Sequence, residues 1–135
     1  MQSVDINYLA VVAAALLGFV VGGLWYSPLL FGKPWMAAAG VTEEQVNAGS
    51  KGRIFSLAFA FLLIMAYCLA MFLAAPEVTL QSGALYGFLT GFGWIFFAFG
   101  VVSLFELRSW GYIFINGGYW VVTMTLMGAV LGGWK

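Results

Sequence analysis

Charged residues are absent from four long stretches of this chain: Ile6 to Gly32, Ile54 to Pro76, Val78 to Phe105 and Ser109 to Trp134. Each is longer than the roughly 20 apolar residues that carry a helix across the hydrocarbon core of a bilayer. The excess allows for tilt or interfacial ends. The pattern predicts an all-α fold, an integral membrane four-helix bundle forming a single domain over residues 1–135, with helices near 7–28, 54–75, 80–105 and 111–133. Pro28 and Pro76 suit helix ends, because proline lacks the N–H that a helix interior uses. Met1 to Asn7 contains no Lys or Arg. The apolar run that follows outlasts the roughly 7–15 residues of a signal-peptide core, so the first stretch is expected to be a retained helix.

The connections differ in length. Two or three residues around Glu77 join the second and third helices, which predicts antiparallel neighbours, and Glu106 to Trp110 joins the third to the fourth almost as tightly. The first connection, residues 29–53, is longer. It opens with Phe31-Gly32-Lys33-Pro34-Trp35-Met36, an amphipathic aromatic stretch, and continues with Thr42-Glu43-Glu44-Gln45, a capping box in which Thr42 and Gln45 satisfy each other's free backbone groups. Gly49 and Gly52 are expected to break that short helix. The loop is expected to lie along the membrane surface.

Lys and Arg alone set orientation. Lys33, Lys51, Arg53 and Arg108 share one face, against Lys135 on the other. The expectation is a bacterial inner membrane protein with both loops in the cytoplasm and both termini outside.

An eleven-residue segment recurs. Ala15-Leu16-Leu17-Gly18-Phe19-Val20-Val21-Gly22-Gly23-Leu24-Trp25 matches Ala84-Leu85-Tyr86-Gly87-Phe88-Leu89-Thr90-Gly91-Phe92-Gly93-Trp94 at its Ala, Leu, Gly, Phe, Gly and Trp positions. The match suggests a duplicated, parallel two-helix hairpin. Small residues also recur every four positions: Ala10, Ala14, Gly18 and Gly22; Ala66, Ala70 and Ala74; Gly83, Gly87 and Gly91; Gly128 and Gly132. Such stripes let helix backbones approach closely in lipid. Two readings are open. The stripes of Gly18, Gly22, Gly87 and Gly91 pack the bundle internally, or one of them forms a homo-oligomer interface.

Composition narrows the chemistry. The chain is 64% hydrophobic and 7% charged, with no net charge, no His and one Cys. Five scattered basic residues make no nucleic-acid footprint. Cys68 alone supports neither a disulfide within the chain nor a multi-cysteine metal site, and it reads as an apolar filler. No nucleophile–base pair and no phosphate-binding loop is recognisable, so no enzyme activity, cofactor or metal is expected. No ionisable residue lies well inside a span, which argues against a proton-coupled pump. The candidate polar site is Glu106, Arg108 and Asn116, either as structural hydrogen bonding or as a headgroup or small-ligand site. Trp25, Tyr26, Trp35, Trp110 and Tyr112 at one end, and Tyr8, Tyr86 and Trp134 at the other, read as interfacial belts.

The run Gly22-Gly23-Leu24-Trp25-Tyr26-Ser27-Pro28, with Phe31-Gly32-Lys33-Pro34-Trp35 after it, resembles the domain-of-unknown-function 1761 family. Phe105-Glu106-Leu107-Arg108-Ser109 and Ile115-Asn116-Gly117-Gly118-Tyr119 are similar to the later part of that family. The resemblance spans nearly the whole chain and implies a small multi-pass membrane protein with no established activity. In that family a His often follows the Gly-Tyr pair. Trp120 stands there in this chain, so no His-based role is carried over. The expected function is a non-enzymatic membrane protein acting through helix packing, as a homo-oligomer or a small subunit of a membrane complex, with the lipid bilayer as its other partner. The alternative is a small channel or carrier for a neutral or lipid-like solute.

Overall fold

Polar caps start every span. In the computed structural model, which describes residues 5–135, Asn7 accepts from the Ala10 N–H at the head of α1 (Tyr8–Trp25). Ser50 does the same for α4 (Lys51–Leu73), Thr79 for α5 (Leu80–Thr90) and Ser109 for α7 (Trp110–Gly133). Each such cap stabilises its helix by about 1 kcal/mol. These caps shift the expected boundaries. The second helix begins at Lys51 rather than 54 because Ser50 caps it, so Gly52 lies inside its first turn, while Gly49 ends the short helix before it as expected. The first helix stops at Trp25, short of Pro28. The residue before a proline avoids the α region, so the chain leaves the helix ahead of Ser27-Pro28.

Two short helices occupy the long connection, α2 (Gly32–Ala39) and α3 (Glu43–Ala48). The capping box forms as expected. Thr42 Oγ1 accepts from the Gln45 N–H at 3.2 Å, and Gln45 Oε1 accepts from the Thr42 N–H at 2.8 Å. Gly40, at φ 72°, ends α2 in the left-handed conformation that glycine adopts cheaply.

The third span, Leu80–Phe105, is one continuous rod with an irregular centre. Between α5 and α6 (Phe97–Phe105) the backbone widens into a π-helical segment, Gly91–Phe96. At its far end Leu107 takes φ 59°. The N–H of Arg108 reaches the Ser103 carbonyl at 2.9 Å, and that of Leu107 reaches Leu104 at 3.1 Å. This is the same helix-ending motif as at Gly40, with a leucine in the glycine position. An L-residue there costs about 1–2 kcal/mol. Leu107→Gly is therefore expected to raise the thermal midpoint in detergent by a few degrees. A lowered midpoint would show instead that the Leu107 side chain, 91% exposed, contributes more as a membrane anchor than its backbone costs.

The four spans do not form a closed square. α7 is the hub: α5, α1 and α4 all pack on it, and α1 also packs on α4. Consecutive α4 and α5 scarcely touch. They are antiparallel, as the short Glu77 connection requires, but the expected neighbour packing is not made. The glycines on α5 and α7 explain why. A Cβ on Gly83 would strike the Gly128 carbonyl, one on Gly87 would strike the Met124 carbonyl, and one on Gly132 would strike the Thr79 carbonyl. Backbone therefore lies directly on backbone, and α5 is drawn onto α7 and away from α4.

The recurring segment acquires a meaning here. Gly18 faces Thr123 and Gly22 faces Tyr119, while Gly87 faces Met124 and Gly91 faces Trp120. Both copies thus flank α7 at matching heights, one from α1 and one from α5. Gly18 also meets Leu62 of α4, while the nearest neighbour of Gly22 is Tyr119.

Candidate functional site

Two features stand out, and they lie at different depths. The first gathers at the end of the bundle carrying Lys33. The side chains of Trp25 and Tyr26, at the end of α1, reach across to α7. Trp25 Nε1–H donates to the Ile115 carbonyl at 2.8 Å, and the Tyr26 hydroxyl donates to Asn116 Oδ1 at 2.6 Å. Asn116 Nδ2 in turn donates to the Tyr112 carbonyl at 2.9 Å, so both ends of the amide are used. Tyr119 donates to the Gly18 carbonyl at 2.9 Å. Burial holds the Tyr26 phenol, just beyond the first span, well above its ordinary pKa, so it remains a donor.

The two glycines after Asn116 make this contact possible. A side chain on Gly117 would meet the Phe96 ring, and one on Gly118 would meet Trp25 Cζ2 at 3.1 Å. Each glycine is a notch for an aromatic ring from a different helix. The wider π turn delivers Phe96 to its notch while Gly91 stays against the Trp120 carbonyl.

Ser27 closes the α1 end on itself, donating to the Leu24 carbonyl at 2.7 Å. Gly32 starts α2 hard against that turn, its N–H donating to the Ser27 carbonyl at 2.9 Å. Trp35 then sets its ring edge against Tyr26, with centroids 5.4 Å apart, while Pro28 and Lys33 remain exposed. Trp25 to Trp35 and Asn116 to Tyr119, far apart in sequence, are therefore one interlocked unit. Sequence spacing offered no signal for that pairing.

Glu106, Arg108 and Asn116 do not form one cluster. Arg108 sits over the Tyr112 ring at 4.9 Å and donates to the Ala39 carbonyl at 3.3 Å, which ties α2 to the third connection. Its guanidinium turns to these partners rather than to Glu106, which is exposed at the C-terminal end of α6. Asn116 instead belongs with Tyr26. Asn116→Leu and Tyr26→Phe are each expected to cost about 1 kcal/mol, as interhelical hydrogen bonds in membranes do. The double variant should cost little more than either alone. Strictly additive losses of thermal midpoint would mean that the bond contributes nothing.

The second feature is the gap left between α4 and α5. It is a lateral cleft of about 650 Å³, with Cys68 and Leu69 on the α4 wall, Leu89 and Trp94 on the α5 side, and Met124 of α7 among its lining residues. Glu77 lies at one end, and it is the one charged residue in the lining. Trp94 is 71% exposed, near the middle of the third span, where an interfacial aromatic would not sit. The sequence did not announce this cleft, because it arises from a helix contact that is not made.

No curated protein and no solved structure is significantly similar to this chain. Residues 9–132 match the model of a family described as "Protein of unknown function (DUF1761)", a span that contains both the interlocked motifs and the cleft, and the chain belongs to that family.

Proposed function

We propose that this protein is a non-enzymatic membrane protein that holds a lipid-like guest in the cleft between α4 and α5. The observation that carries this reading is the cleft itself, about 650 Å³ of apolar-walled space between consecutive spans that pack elsewhere. Its volume falls in the range of small-molecule sites. Trp94, 71% exposed, supplies a flat wall near mid-span. A homo-oligomer built on Gly18, Gly22, Gly87 or Gly91 is disfavoured, because those surfaces are already occupied within one chain.

A second reading, a subunit of a larger membrane complex, draws support from another face of the third span. Phe88, Phe92 and Phe97 form a ladder of exposed rings with centroids 5.6 and 5.1 Å apart. Aromatic anchors of this kind are enriched at interfaces. The Lys and Arg distribution favours a plasma membrane orientation with both termini outside the cytoplasm.

Native mass spectrometry of protein gently extracted from its own membrane separates the two. The cleft reading expects one retained lipid-like molecule on the unaltered protein, and its loss from Cys68→Trp or Leu89→Trp, which fill the gap from opposite walls. Equal retention by all three, or none by the unaltered protein, would sink it. A stoichiometric foreign subunit would support the second reading.

A further inference from the structure

We infer that the guest is a phospholipid with an amine-bearing, zwitterionic headgroup, drawn from the leaflet on the Glu77 side, with one acyl chain lying in the cleft; this rests on the reading above. Three observations carry it. The first is depth. Along α4 the lining runs from Leu73 to Ile64, about 14 Å at the rise of an α-helix. That is about half of a hydrocarbon core of about 30 Å. On the opposite wall the lining runs from Val78 to Trp94 and Ile95, a little past the middle of the third span. A chain entering from the Glu77 end therefore reaches the middle of the bilayer and ends short of the far side, as a chain of one leaflet does.

The second is size. The cleft holds about 650 Å³, within the roughly 300–1,000 Å³ of sites that take small molecules, and its lining runs lengthwise along α4 and α5, which suits a slender chain.

The third is charge. The walls are apolar apart from a few neutral groups, and Glu77, exposed at the membrane end, is the only ion in the lining. A carboxylate there attracts an ammonium group and repels a headgroup of net negative charge. A balancing cation is close by in the chain. Lys135 Nζ donates to the carbonyls of Leu73 at 2.5 Å and Ala75 at 3.0 Å, beside the turn that carries Glu77. A phosphoethanolamine group, positive at its tip and negative at its phosphate, meets both signs.

The test uses the full-length protein in nanodiscs of equal phosphatidylethanolamine and phosphatidylglycerol, with the retained lipid identified by native mass spectrometry. The unaltered protein is expected to hold one lipid, with phosphatidylethanolamine enriched at least fivefold over the bulk ratio. Glu77→Gln should keep one lipid but return the ratio to that of the bulk. Cys68→Trp and Leu89→Trp should lose lipid of both kinds. Equal retention of the two lipids by the unaltered protein, or a preference that survives Glu77→Gln, overturns the headgroup assignment while leaving the cleft as a chain site. Absence of retained lipid from the unaltered protein overturns the chain site as well.

Discussion

Gly87→Ala should leave little folded protein. The added methyl would meet the Met124 carbonyl and lie 3.1 Å from the Thr125 Cα, all of it main chain within a helix. Nothing there can rotate away, so α5 and α7 must separate along their length. Overpacking of a core costs about 1–3 kcal/mol when side chains can adjust. Here the cost is expected at or above the top of that range. Gly18→Ala is the instructive comparison. Its methyl would meet only side-chain atoms, Thr123 Cγ2 at 3.0 Å and Leu62 Cδ2 at 3.2 Å, and a loss of about 1 kcal/mol is expected. Gly23 has nothing within 4 Å and should tolerate alanine without change. Thermal midpoints by size-exclusion in detergent rank the three. A Gly87→Ala protein with the unaltered midpoint would refute the backbone contact.

Gly32→Ala is expected to release α2 and α3 while sparing the spans. A methyl at Gly32 would lie 2.6 Å from the Tyr26 carbonyl oxygen and 2.8 Å from the carbonyl of Ser27. α2 must lift from the turn, and Trp35 then leaves Tyr26 while the Ala39 carbonyl leaves Arg108. A local cost of about 1–3 kcal/mol corresponds to roughly five- to hundredfold more frequent opening, since each 1.4 kcal/mol is about tenfold. Hydrogen exchange should therefore accelerate by that factor across residues 29–53 and stay unchanged in α7. Gly52→Ala, in open space, is the matched control. Unchanged protection of residues 29–53 would show that the turn yields without cost.

The sequence made the number of spans legible because hydrophobic length is a local property. The Thr42–Gln45 box was legible for the same reason: its partners are three residues apart. Spans of glycine at four-residue spacing announced close packing but not the partner. Only the assembled bundle distinguishes α7 from a second copy as the surface that Gly18 and Gly87 meet. The partners at the polar end were hidden in the same way. Arg108 and Glu106 are neighbours in the chain, yet Arg108 is drawn to a carbonyl and a ring supplied by other elements. The π segment and the cleft were invisible, since one is an irregularity within an apolar run and the other is a space.

The hub position of α7 has a consequence for how this protein comes to exist in a membrane. α7 is the last of the four spans to be synthesised, yet it is the one that α1, α4 and α5 all pack against. Until it inserts, the ridge of Gly87 faces lipid, and α5 has almost nothing to hold it to the pair that α1 and α4 can form. Domains commonly consolidate from the N-terminus as the chain emerges. Here α1 and α4 can pair early, while α5 must wait as a loose neighbour for the fourth span. Any nascent chain halted before Trp110 carries its packing surfaces exposed, which makes it a natural client for membrane quality control.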